Sequence, residues 1–170
     1  LDQRTRRAIR KADKNGLKIE EDLSLEEFYR VNSLTFQRQG IPTPYDLFFL
    51  NNLDNAVLRN KAIRLVLGAR DGNGKLHAVG YFIGDKNTVY YLAGGGDSNL
   101  RNSGAMSLLM WHAIKKVSLT SKIFDFEGSM IEPIERFFRS FGAQQVSYFQ
   151  VSKVNSKIIN CAQSIRSLIR

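Results

Sequence analysis

Cysteine and histidine are scarce in this sequence. The single cysteine, Cys161, cannot form an internal disulfide framework, and its isolation suits a cytoplasmic chain. With only His77 and His112 beside it, no ordinary zinc site can be assembled, so no metal is expected. Long hydrophobic runs are missing too, which excludes a transmembrane helix. The basic opening LDQRTRRAIRKADKNG is not followed by the apolar stretch of a signal peptide. The chain lacks an initiator methionine and opens in what reads as mid-helix, so a fragment of something longer is expected. Repeats, low-complexity tracts and Pro/Gly/Ser-rich linkers are absent. The 170 residues therefore read as one domain with a sizeable core.

What the sequence has in excess is positive charge. It carries 25 Lys and Arg against 16 Asp and Glu, a net charge of +9. That balance points to a polyanionic partner: a nucleotide, a tRNA or an anionic lipid. Much of the excess lies in the first eighteen residues, at Arg4, Arg6, Arg7, Arg10, Lys11, Lys14 and Lys18. A merely solvated basic helix would have the same composition.

The order of elements follows from periodicity and punctuation. Residues 3–15 read as a helix closed by Asn15-Gly16. LKIEED is a short strand, and Ser24 with Glu27 forms a capping box that opens a helix to about Arg38. After QGIPTP, Pro44 to Leu58 is a second helix. The period then changes from 3.6 to 2. AIRLVLGAR, KLHAVGYFIGD and NTVYYLAGG form an antiparallel meander, its first hairpin marked by DGNG. GGGDSNLRNSG is a loop, Ala105 to Val117 a helix and SKIFDFEG a strand. Ile131 to Phe141 is a helix that buries Ile134, Phe137, Phe138 and Phe141. AQQVSYFQVSK is a last strand, followed by a C-terminal helix.

The expected fold is therefore α/β (α+β), a mixed sheet in the order β-α-α-β-β-β-α-β-α-β with helices on both faces. This is the order of the GNAT (N-acetyltransferase) superfamily. Two stretches sharpen the likeness: YYLAGGGDSNLRNSGAMSLLMWHAI, and FDFEGSMIEPIERFFRSFGA. They resemble the C-terminal GNAT-like domain of Fem-type peptidoglycan aminoacyl transferases and related acetyltransferases. The resemblance divides the chain into a basic helix over residues 1–16 leading to an upstream part, a GNAT-like acyltransferase domain over 17–153, and a C-terminal helix over 154–170.

The resemblance implies an N-acyltransferase working by direct transfer. The donor would be acyl-CoA or acetyl-CoA, or aminoacyl-tRNA if the chain is Fem-like. The acceptor would be a primary amine, on a small molecule or a cell-wall precursor. In GNAT enzymes a Gly-containing loop ahead of a helix holds the pyrophosphate of coenzyme A. Here it corresponds to Arg101, Asn102, Ser103, Gly104 and Ala105, with Met106 where the family pattern has Gly or Ala. A helix N-terminus suits an anion because its amides and dipole are positive. A plain polar β-to-α loop has the same composition.

In FDFEG, strand alternation would place Phe124 and Phe126 on one face and Asp125 and Glu127 on the other. An ammonium acceptor must lose a proton before it attacks. Glu127 is the candidate base, with Asp125 as its partner or as a structural acceptor. The alternative is that Asp125 caps a loop or pairs with Arg136 or Arg139. By resemblance, backbone amides of Tyr90, Tyr91 and Leu92 would serve the oxyanion, and Tyr148 matches the phenol that some GNAT enzymes use as general acid. A non-catalytic binding module within a larger Fem-type protein is the other reading.

Overall fold

The computed structural model describes residues 1–147 and residue 155. Strands β1 (Lys18–Glu21), β2 (Ile63–Arg70), β3 (Leu76–Gly84), β4 (Thr88–Gly96) and β5 (Ile123–Asp125) form one sheet in that order. The first four pair antiparallel and β5 joins β4 in parallel. Helices α1 (Gln3–Lys14), α4 (Ala105–Val117) and α5 (Glu132–Arg139) pack on one face. Helices α2 (Leu25–Arg38) and α3 (Leu47–Arg59) pack on the other.

Local chemistry sets most of the boundaries. The carboxylate of Asp2 accepts the Thr5 N–H at 2.6 Å and starts α1. Ser24 Oγ accepts from Glu27 N–H at the head of α2. Asp46 Oδ1 accepts from Phe49 N–H, so α3 begins at Leu47 and not at Pro44. The two meander turns are closed by carboxylates as well. Asp71 Oδ1 accepts from Asn73 and Lys75, and Asp85 Oδ1 from Asn87 and Thr88.

The period-2 pattern then sorts side chains between two cores. Leu65, Leu67, Phe82 and Val89 face Leu109, Met110 and Ala113 of α4 and Ala12 of α1. Val66, Val79 and Tyr81 face Phe28 and Val31 of α2 and Leu50 of α3. In the second core Asp54 is buried, and it accepts from Arg64 Nε at 2.5 Å and from the Tyr81 hydroxyl at 2.8 Å. A buried carboxylate needs such partners to offset its lost hydration.

Three expectations are corrected. The stretch read as a loop after β4 contains a 3-10 helix over Ser98–Ser103, capped by Asp97. Ile134, expected in the core, is 40% exposed because the short α5 turns only Phe137 and Phe138 inward. The strand read at SKIFDFEG stops at Asp125. Of the last expected strand, residues 143–147 are irregular; its remainder and the C-terminal helix lie outside the described residues.

Helix α1 is packed onto the body of the fold. Its Asp2 N–H donates to the Ser140 carbonyl at 2.8 Å, and Thr5 Oγ1 donates to Ser140 Oγ at 2.7 Å. Ile9 and Ala12 are buried beneath it.

Candidate functional site

The β3–β4 ladder is interrupted beside Leu92. Along β3 and β4, Phe82 is opposite Tyr91 and Tyr81 is opposite Ala93, so Leu92 is an extra residue. Such a bulge bends its strand and re-aims the backbone. On the other side of β4, strand β5 pairs only with Thr88, Val89 and Tyr90. From Tyr91 to Gly96, that edge of β4 has no strand partner among the described residues. Bulge and departing strand together leave the β4 edge from Tyr91 onward without a strand partner among the described residues, and this edge is the candidate cleft.

The acids of FDFEG follow the point where β5 leaves β4, but not as strand alternation predicts. Glu127 has φ +62° and Gly128 φ +78°, so the chain turns where a strand was expected. Asp125 Oδ1 accepts the Glu127 N–H at 2.8 Å and fixes the turn. The half-buried Asp125 is thus a backbone acceptor, while the Glu127 side chain is exposed. The aromatics explain the turn. Phe126 lies 4.9 Å from Phe124 and 5.0 Å from Phe138 between ring centres, anchoring the segment to α5. The arginines are not partners of these acids: Arg136 pairs with Glu132, and Arg139 with Glu135 at 2.6 Å.

The loop ahead of α4 has a different character from the one expected. Arg101 and Asn102 are exposed, and Ser103 Oγ accepts the Ala105 N–H at 3.3 Å. Gly104 has φ +83° and heads α4 without a side-chain cap. A Cβ built there would lie 2.2 Å from the carbonyl oxygen of Ala8. The space this glycine leaves is filled by α1. A carbonyl oxygen carries partial negative charge, the wrong sign beside a pyrophosphate. Met106, the departure from the family pattern, packs against the core. The space on the Cβ side of Gly104 is therefore taken by α1.

The three glycines that end β4 also answer to protein atoms. A Cβ at Gly94 would meet the Tyr91 hydroxyl at 2.3 Å. At Gly95 it would meet Thr35 Oγ1 at 2.3 Å, and at Gly96 the His77 carbonyl at 2.6 Å.

With this geometry in place, comparison with known proteins is decisive. Residues 2–127 match the family described as the acetyltransferase (GNAT) domain. The chain belongs to the GNAT acetyltransferase family. Its fold also matches solved structures. FemX aligns with a TM-score of 0.71 at 13% identity, covering 83% of this chain and 54% of FemX. The chain thus spans about half the length of that protein. Glucosamine-6-phosphate N-acetyltransferase from Arabidopsis thaliana aligns at TM-score 0.51 and 16% identity, over 82% of this chain and 99% of that one. Ribosomal-protein-alanine N-acetyltransferase from Brucella melitensis biovar Abortus 2308 aligns at 0.56 and 15%, over 83% and 100%. At such identities these likenesses establish the fold alone. No curated relative matches the sequence significantly.

In this GNAT domain the sequence-predicted residues do not form one cluster. Leu92 lies at the bulge and Asp125 at the end of the neighbouring strand. Arg101 to Ala105 follow the far end of β4, against α1. Tyr148 lies outside the described residues. Among the described residues, no group of His, Cys, Asp and Glu could hold a metal ion, and no helix is long and apolar enough to cross a membrane.

Sequence reasoning missed a polar group beside the cleft. Asn32 of α2 is only 1% exposed, and its Nδ2 donates to the Tyr45 hydroxyl. Asn32 Oδ1 lies 3.1 Å from the position of a Gly95 Cβ. Burial, reinforced by the neighbouring Tyr29, raises the Tyr45 phenol above its ordinary value. Burial likewise raises the Tyr91 phenol, with a smaller contribution from Tyr45. No local motif could have joined Asn32 to Tyr45, because the pair is made by packing a helix against a loop.

Proposed function

We propose that this GNAT domain transfers an acyl or aminoacyl group from an activated donor to a primary amine in the cleft between β4 and β5. The observation that carries the reading is the bulge at Leu92 beside the early end of β5. It frees backbone amides of one strand for an incoming carbonyl oxygen. The amine nitrogen attacks the donor carbonyl carbon, the N–C bond forms, and the bond from that carbon to the leaving oxygen or sulfur breaks. Amides of the Tyr90–Leu92 edge would donate to the tetrahedral oxyanion. Glu127 would accept the ammonium proton, and Asp125 would hold the turn that presents it. A non-glycine residue held at φ +62° is costly, and such strain concentrates at functional positions.

The filled cradle at Gly104 favours aminoacyl-tRNA over acyl-CoA as donor. The resemblance to Fem-type enzymes drawn from the sequence puts the acceptor among small-molecule or cell-wall-precursor amines, in the cytoplasm. The same cradle favours a second reading, a binding module within a larger Fem-type protein. Turnover separates the two. Glu127→Gln should lower kcat at least about 100-fold without changing the fold. Unchanged turnover would remove Glu127 as the base, and no turnover by the native protein with either donor class would leave the binding module. Coenzyme A should not raise Tm; a rise of several degrees would reinstate an acyl-CoA donor.

A further inference from the structure

We propose that the outer face of α1 is a docking surface for the phosphodiester backbone of RNA. Six cations, Arg4, Arg6, Arg7, Arg10, Lys11 and Lys14, stand on this twelve-residue helix, and all are exposed. None of them forms an ion pair among the described residues. The sequence beyond residue 147 contains no Asp or Glu that could neutralise them. A helix this long spans about 18 Å, enough to follow several successive phosphates. Four of the six are arginines, whose planar forks match phosphate oxygens.

The helix is also rigidly mounted. Ile9 and Ala12 are buried, Ala8 lies against Gly104, and the N-terminal end is tied to Ser140. An RNA strand can therefore bind without first ordering the surface. The same mounting argues against an anionic membrane. An interfacial helix inserts an apolar face between lipids, and the apolar face of α1 is already spent on the protein core.

The position is as informative as the charge. Helix α1 crosses the start of α4 and touches the 3-10 segment that leads directly from the open end of β4. RNA lying on α1 is thus held beside the chain segment that leaves the cleft. This deepens the donor reading above, but its test is independent of turnover.

The test measures binding of bulk deacylated tRNA across a salt series. If α1 makes four to six phosphate contacts, log K should fall against log salt with a slope of about −3 to −5. The triple variant Arg4→Gln, Arg7→Gln, Arg10→Gln should reduce that slope by about 3. These side chains are exposed, so Tm should be unchanged. Lys86→Gln with Lys122→Gln, at the opposite end of the sheet, should leave binding as it was. The proposal is overturned if the native protein does not bind tRNA, if the triple variant keeps the native slope, or if the control variant loses as much. Retention on phosphatidylcholine–phosphatidylserine vesicles but not on tRNA would also overturn it. Acyl transfer to a small amine by the triple variant reports separately on the cleft.

Discussion

Replacing Gly104 with alanine probes whether this glycine serves α1 or an anion. Two costs arise from the structure. The first is backbone: at φ +83° an alanine pays roughly 1–2 kcal/mol for the left-handed conformation. The second is steric. The new Cβ would lie 2.2 Å from the Ala8 carbonyl oxygen and 3.0 Å from its carbon. Both partners are backbone, so no side chain can swing aside and α1 must move. Overpacking of that kind costs about 1–3 kcal/mol. The sum is about 2–5 kcal/mol, or a Tm lower by roughly 5–20 °C for a domain of this size. Gly40→Ala is the matched control. Gly40 has φ +68° but no atom within 4 Å of its Cβ position, so only the backbone cost applies. The assay is thermal unfolding of both variants, read by circular dichroism. A loss at Gly104 no greater than at Gly40 would refute the seating of α1 on this glycine. Full native stability together with weakened coenzyme A binding would instead make Gly104 part of a pyrophosphate site.

Other expectations are equally direct. Asp54→Ala should destabilise by about 3 kcal/mol in chemical denaturation, because it leaves the Arg64 guanidinium only the exposed Asp22 at 3.5 Å and the buried Tyr81 hydroxyl without its acceptor. Tyr81→Phe should cost about 1–2 kcal/mol, the mark of one lost hydrogen bond. Glu127→Gly should raise stability by up to about 1 kcal/mol while abolishing turnover, since glycine relieves the positive φ and removes the carboxylate. Acid should unfold the protein through its capping carboxylates. Backbone N–H donors hold Asp2, Asp85 and Asp97 below their ordinary 3.8, chiefly the amides of Thr5, Thr88 and Asn99 respectively. A lowered folded value means that the unfolded chain binds protons first. Their contribution is therefore complete above about pH 5 and is lost as pH falls through the lowered values. Denaturation midpoints should be flat from about pH 5 to 7 and drop below about pH 4, less steeply in Asp97→Ala.

Much of the fold was legible because its signals are local. The Asn15-Gly16 stop of α1, Ser24 with Glu27 and the DGNG turn each act within a few residues. The cleft was less legible. The alternation in FDFEG correctly sent Phe124 and Phe126 to one core, yet Asp125 ends the strand by binding the amide of Glu127. A strand and an aspartate turn compete over the same five residues, and the anchoring of Phe126 against α5 decides between them.

By itself, then, the sequence determined the order of elements as far as α5, the two hydrophobic faces and the resemblance to the GNAT family, all of which rest on period, capping and motif. Tertiary structure alone decided which atom faces Gly104, how Asn32 meets Tyr45 and where β5 leaves β4. Those contacts join segments distant along the chain, as Thr5 and Ser140 are at 135 residues apart. Their outcome depends on how helices seat on a finished sheet, which no local pattern encodes.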